Sequence, residues 1–408
     1  MQIKDRFLEY VSIDTQSAYN PAAVPSTEKQ RDLAVLLESQ MKAMGVSDVY
    51  LSKECCLYGT LKANYEGCSA PSIGFCAHMD TTPELSGRDI KPRIVENYDG
   101  GDIVLNEEAG IVMARSEFEN LGSYIGDDLI VTDGTTLLGA DDKAGVAEIM
   151  QMLEYFWEHP EVKHGEIQLF FTPDEEIGCL GAKLVDKSRF HPDFAYTLDA
   201  YGLGEYSYEC FNAASAKVTV NGVNIHPGLS KNQMKNAILI AHKFISMLPP
   251  AETPSHTENY EGYFHVLEFL GEVEQSVLRL YVRDFDRDRF EQRKALLQHI
   301  ADYLNLEFGE NTVSVELEDT YYNMAEQILP KFEIIEVLKE GMQEAGVEPY
   351  VKPLRGGTDG SVLSQLGIPT PNLCDGSHNC HGRYEYASIQ AMEKITEILI
   401  YIVKKFAV

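Results

Sequence analysis

The chain has 408 residues, of which 44% are hydrophobic and 24% charged. That composition excludes wholesale disorder and is enough for two domains, or one large domain with an insertion. Its 34 basic residues against 64 acidic ones leave a net charge of -30, so nucleic-acid phosphates and anionic lipid are repelled and neither is expected as a partner. The longest apolar run near the C-terminus, Ile398 to Val403, is far short of the ~20 residues that span a bilayer. Acids stand in the N-terminal stretch where a signal peptide would have its apolar core, so the expected location is the cytoplasm. Eight cysteines are scattered without C-x-x-C spacing, which fits reduced thiols and not a disulfide framework.

Taken in chain order, Thr27 and Gln30 form a capping-box pattern. Leu33, Leu36, Leu37, Met41 and Met44 then mark one face of a helix that Gly45 stops. Apolar strands are expected at Ile73 to Ala77, Ile167 to Thr172 and Phe194 to Leu198, with Leu137 to Ala140 as a further strand-like run. A helix with Val146, Ile149, Met150, Leu153 and Phe156 on one face lies between the first two. Such alternation predicts an α/β fold with a mixed, mostly parallel sheet flanked by helices.

The character changes after Cys210. Strand 217–221, helix 233–247, strands 263–272 and 276–284, helix 287–304 and strand 313–318 read as the βαββαβ order of a ferredoxin-like unit. Alternation resumes beyond Tyr321 with a helix over 331–345 and a last one over 388–404. The predicted organisation is therefore a discontinuous main domain, residues 1–210 and 321–408, interrupted by a small inserted domain at 211–320.

Acids and histidines follow the expected strands. His78 and Asp80 come after Ile73 to Ala77, Asp141 after Leu137 to Ala140, and Glu175 and Glu176 after Ile167 to Thr172. Asp199 ends Phe194 to Leu198, and His381 sits in Asn379-Cys380-His381-Gly382. The crevice outside the carboxyl ends of strands is where open α/β sheets place their ligands. Imidazole with carboxylate suits Zn²⁺, with Mn²⁺ or Co²⁺ as substitutes. Each motif alone has a plainer reading: a surface His-x-Asp, a solvated acidic loop, an Asp-Asp-Lys helix cap. Their conjunction favours a metal site, because so many carboxylates at one rim need cations to pair with. Cys380 reads as a buried thiol and His378 as structural.

Six stretches together resemble the cocatalytic di-zinc aminopeptidase and deacylase family. They are Ala77-His-Met-Asp-Thr-Thr82, Gly134-Thr-Thr-Leu-Leu-Gly-Ala-Asp-Asp-Lys-Ala-Gly145, Asp174-Glu-Glu-Ile-Gly178, His226-Pro-Gly228, Arg355-Gly-Gly-Thr-Asp-Gly360 and Asn379-Cys-His-Gly382. Pro92 to Asp102 and Tyr321 to Met324 further resemble its tripeptide-cleaving members. The resemblance implies two zinc ions, one held by His78 and Asp199, the other by Glu176 and His381, with Asp141 bridging. It implies Glu175 as general base for hydroxide attack, Asp80 as partner of the second His78 ring nitrogen, and a cis Asp141–Asp142 peptide. The inserted domain becomes a lid, His226 a candidate oxyanion donor, and Arg283 and Arg355 candidates for the substrate carboxylate. His226 reads equally as a turn residue, and Arg283 as a partner of Asp284 or Asp286. The expected activity is release of the N-terminal residue from tripeptides, with short peptides as partners. The alternatives are a dipeptidase or N-acyl amino-acid deacylase of the same family, or a non-catalytic binding protein on this fold. Nothing in the sequence decides between monomer and homodimer.

Overall fold

The runs Ile73–His78 and Ile167–Thr172 are buried at every position, as strands covered on both faces must be. In the computed structural model, which describes residues 1–407, they pair in parallel with His78 opposite Thr172. They form the centre of an eight-stranded sheet. Its order is Ser47–Leu51, Leu57–Leu61, Ile167–Thr172, Ile73–His78, Phe194–Ala200, Asn372–Cys374, Glu205–Ser207 and Tyr350–Val351. Parallel pairs occupy the middle, and the Ser47–Leu51 and Leu57–Leu61 strands join antiparallel. This α/β sheet belongs to a unit made of Met1–Tyr208, Glu326–Lys352 and the chain from Gly357 onward.

The Ala140–Glu158 helix packs on the Ile73–His78 and Phe194–Ala200 strands and against the last helix, Ile389–Phe406. Gly145 permits this approach, since a Cβ there would sit 2.7 Å from the Leu198 carbonyl oxygen and 2.3 Å from Asp142 Oδ1. The Gln30–Ala43 helix buries Leu33, Leu37 and Met41 as its periodicity predicts.

Two local expectations fail. No capping box forms at Thr27, because its hydroxyl donates to the Gln16 carbonyl and the Gln30 amide turns to Asp174. Leu137 to Ala140 is not a strand: Leu137 to Gly139 approach as loop, and Asp141 and Asp142 form a non-helical kink at the start of the Ala140–Glu158 helix. Two smaller sheets went unread. One joins Ser377–His378, Tyr386–Ser388, Leu129–Val131 and Arg93–Val95, and the other pairs Ile103–Asn106 with Ile111–Met113. Their strands are only 2 to 4 residues long, too short to display a period.

The second unit comprises Glu209–Ala325 with Pro353–Gly356. Its strands Asn212–Asn221, Tyr263–Gly271, Gln275–Asp284 and Val313–Tyr321 make one antiparallel sheet, with Gln275–Asp284 and Asn212–Asn221 at its centre. Helices Ala237–Ser246 and Arg287–Phe308 complete the βαββαβ order. Ala214, Ala216, Val218 and Val220 alternate inward to meet Phe244, Phe290 and Leu297 in its core. Asn236 and Asp286 cap the two helices by accepting from Leu239 N and Arg289 N. The short Pro353–Gly356 segment was assigned by the sequence to the main domain; here Leu354 bridges to Cys210 and Arg355 bonds the 257–261 loop.

Gly145→Val is expected to force the helix off the sheet and cost about 1–3 kcal/mol or more, the scale of overpacking. Urea denaturation reads this directly, and an unchanged midpoint would show that the helix does not need the close approach.

Candidate metal centre

Parallel register brings three segments to one rim. His78 ends its strand beside Thr172, the chain past Thr172 delivers Glu175 and Glu176, and Asp199 lies next to the end of its own strand. Asp141 arrives from the start of its helix, where the Asp141–Asp142 peptide is cis as the resemblance implies. His381 arrives from the loop after Ser377–His378. Two groups of three donors result, His78–Asp141–Asp199 and Asp141–Glu176–His381, each with its ligand atoms within 4.8 Å of one another. Asp141 is common to both. Its Oδ1 lies 2.9 Å from His78 Nε2 and its Oδ2 lies 3.5 Å from His381 Nε2. Glu176 Oε2 is 2.9 Å from the same His381 nitrogen, while its Oε1 is buried without a partner.

The electrostatics are those of a site short of positive charge. Burial pushes the Asp199 carboxyl well above the usual carboxylate range, with Glu175 adding to the effect. Burial likewise raises Glu176, reinforced by the Asp141 charge. Burial would lower His78, but hydrogen bonds to Asp141 and Asp80 carry it well above the ordinary imidazole range. His381 is raised by its bonds to Asp141 and Glu176. Both rings are thus tied to the acids through their ring nitrogens. Imidazole nitrogens and carboxylate oxygens in two overlapping groups, one with an orphaned buried oxygen, fit divalent metal ions of the Zn²⁺, Mn²⁺ or Co²⁺ type.

Beside His381 lies a cavity of about 620 Å³ whose walls include Asn120, Tyr201, Glu205, Tyr350, Lys352 and His378. His378 is tied to Asn120 through Nδ1 and to Tyr124 through Nε2, at 3.2 and 2.6 Å. Burial, helped by the Lys352 charge, lowers its pKa to about 4, so it is a neutral structural ring. Cys380 contacts the Ser377 hydroxyl, 3.3 Å away, and is not in either donor group. The three candidate substrate residues belong to the second unit. Arg283 pairs with neither Asp284 nor Asp286; its Nη1 donates to the Ala214 and Val282 carbonyls. Arg355 donates to the Asn259 and Glu261 carbonyls and the Thr257 hydroxyl. His226 is exposed on its turn, and its Nδ1 accepts from Gly228 N.

A ring of acids that accept main-chain hydrogen bonds holds the donors in place. Asp142 Oδ2 accepts from His78 N at 3.1 Å. The Asp80 carboxylate accepts from Glu175 N at 2.9 Å and Glu176 N at 3.3 Å. His78 Nδ1 lies 3.0 Å from the Asp80 carbonyl oxygen and 3.4 Å from the Asp80 carboxylate. Asp174 is clamped by the Ser26 and Gln30 side chains. Glu385, which sequence reasoning missed, accepts from Leu138 N, Gly139 N and Asp141 N at 2.6, 2.8 and 3.1 Å. Its only sequence signal is an acid between Tyr384 and Tyr386, just before the buried Tyr386–Ser388 strand. Glu385→Ala leaves three buried amides without an acceptor and is expected to cost on the order of 3 kcal/mol. Glu385→Gln, which keeps a carbonyl, should cost less; equal midpoints for both variants and the parent in urea would count against this anchoring.

The comparisons with known proteins agree with this geometry. The sequence profile of Peptidase family M20/M25/M40 matches residues 133–405. A curated relative from Halothermothrix orenii, named Peptidase T, is 50% identical over 406 residues, covering 100% of this chain and 99% of its own. The crystal structure of aminopeptidase PepT from Bacillus cereus superposes with a TM-score of 0.79 at 24% identity, covering 100% of this chain and 98% of that one. A tripeptidase from Staphylococcus aureus gives 0.78 at 23% identity over 100% and 98% of the two chains. An α/β sheet with this rim of donors, and a family match running through Asp141 and His381, lead to one conclusion: the chain belongs to peptidase family M20/M25/M40.

Proposed function

We propose that the protein is a metallo-aminopeptidase that releases the N-terminal residue from tripeptides. The observation that carries the reading is Asp141 with one oxygen toward each of two histidines, beside a glutamate that neither donor group includes. The tripeptide assignment is supported by full-length likeness to proteins named Peptidase T and by a structural neighbour described as a tripeptidase. His78 and Asp199 would hold one Zn²⁺, Glu176 and His381 a second, and Asp141 both, with Mn²⁺ or Co²⁺ as substitutes. When bound, such ions polarise a carbonyl oxygen and bring the pKa of a water to about 7.

Glu175 is assigned the proton transfers. It takes the proton of the attacking water and returns it to the leaving amine, the task of a general base that then acts as an acid. Its burial, with Asp359, Glu176 and Asp80 nearby, raises its pKa well above the ordinary carboxylate range, which suits the second half of that task. Asp80 contributes by fixing the main chain at Glu175, so that the base keeps one position relative to Glu176. Among the lid candidates, Arg283 and Arg355 already spend guanidinium donors on main-chain carbonyls. The candidate roles are an oxyanion donor for His226, whose Nε2 has no partner among the described residues, and the substrate carboxylate for the two arginines. No described helix is long and apolar enough to cross a membrane.

Glu175→Gln is expected to keep its metal content and lose about 10²-fold or more in turnover, whereas Glu176→Gln should lose metal as well. Equal metal loss in the two variants, read by elemental analysis, would reverse the assignment of base and ligand. Tripeptides, dipeptides and N-acetyl amino acids assayed side by side distinguish the aminopeptidase from a dipeptidase or deacylase. Tripeptide should be the best substrate by kcat/KM, and no hydrolysis of any of the three would leave only the binding-protein reading.

A further inference from the structure

The turn after Glu176 folds back on itself. Gly178 N and Cys179 N both donate to the Glu175 carbonyl at 2.8 Å, and Cys179 takes a left-handed conformation with φ 53°. This places Cys179 Sγ 3.2 Å from Glu175 Oε1. Asp359, first residue of the Asp359–Gln365 helix, closes the same space. One donor atom each from Glu175, Cys179 and Asp359 lies within 4.8 Å of the others. Asp359 is only 1% exposed; its Oδ2 accepts from the Thr172 hydroxyl, and its Oδ1 has no partner. A buried carboxylate oxygen without a donor is destabilising, and a cation would satisfy it.

We propose that Glu175, Cys179 and Asp359 form a third cation site, distinct from the two groups that share Asp141, and that a thiophilic divalent ion bound there removes Glu175 from proton transfer. The inhibitory consequence rests on the reading of Glu175 as the base; the site itself does not. A thiolate and two carboxylates select Zn²⁺ or Cd²⁺ over Mg²⁺ or Ca²⁺, because sulfur is a soft ligand. On binding, the Cys179 S–H bond is replaced by a sulfur–metal bond and the proton passes to solvent. Three negative charges then face two positive ones. Without an ion, burial holds the thiol well above its usual range, reinforced by Glu175 and Asp359, so Cys179 is a neutral donor to Glu175. A coordinating ion reverses this, since a ligating thiol is deprotonated outright.

The test starts from holoenzyme already saturated with Zn²⁺ at its first sites. Cd²⁺ is titrated in while bound metal, the ultraviolet thiolate-to-cadmium charge-transfer band and tripeptide turnover are followed together. A further bound ion is expected with the band, and turnover should be lost in step. Cys179→Ser keeps a hydroxyl donor for Glu175 but no thiolate. It should lose the band and the extra ion, and hold its own starting rate at cadmium concentrations that silence the parent. Cys380→Ala, which removes the thiol beside His381, should keep the band. Absence of the extra ion and band in the parent, or a band surviving in Cys179→Ser, would overturn the site. The band and the extra ion with undiminished turnover would overturn the inhibitory role. A parent holoenzyme inactive on tripeptide before any cadmium is added refutes the proposed activity alone, because band and stoichiometry are read without it.

Discussion

Unpaired negative charge at the end of a buried sheet is the constraint that organises this protein. Asp141, Asp199, Glu175 and Glu176 converge where strand ends and a helix start meet, and the effective penalty for burying such ions is several kcal/mol each unless they are paired. The sequence offers a lysine next door, but Lys143 Nζ turns to the Ile13 carbonyl at 2.7 Å, away from these acids. Burial lowers that lysine to about 8. The positive charge must therefore come from His78 and His381 or from bound cations, and the two histidines compete with metal for the same oxygens. A family fold that keeps this rim keeps a standing demand for divalent ions.

A second population of acids does different work. Asp142, Asp80 and Glu385 accept hydrogen bonds from the main chain of His78, of Glu175 and Glu176, and of Asp141. These four backbones are thus fixed by neighbouring carboxylates that accept from their amides. Charge-assisted bonds of this kind are stronger than neutral ones, so the donor atoms gain position without further cations. The division between acids that bind backbone and acids that face open charge separates support from chemistry at this centre.

Much of this was legible in the chain. Mostly apolar, fully buried strands such as Ile167–Thr172 and the alternation over Ala214–Val220 carry readable periods, and the α/β fold class followed from such runs. The motif residues were readable because strand ends in parallel register share a rim. What escaped was set by tertiary contacts over large sequence separations. Gln30 was claimed by Asp174, 144 residues away, and so formed no cap. Glu385 acts on a loop 244 to 247 residues distant, which no local pattern announces. Asp80 was placed correctly beside His78, but its carboxylate bonds the Glu175 turn, a partner visible only once the two strands are aligned. Arg283 was offered an acidic neighbour by the sequence, yet its Nη1 and that of Arg355 bond main-chain carbonyls instead.

The grip of Asp80 on two successive amides gives the adjacent glutamates a phase. Glu175 and Glu176 are chemically alike, and only the position of the main chain decides which reaches His381 and which lies beside Cys179. Substitution elsewhere in the turn leaves that phase intact, but a change of length by one residue between Thr172 and Glu176 would move one acid into the other's place and displace the second from both. Over evolutionary time the segment can drift in composition far more freely than in length. Lineages of this fold should therefore record their history here as replacements, with insertions and deletions displaced to the loops beyond Gly178.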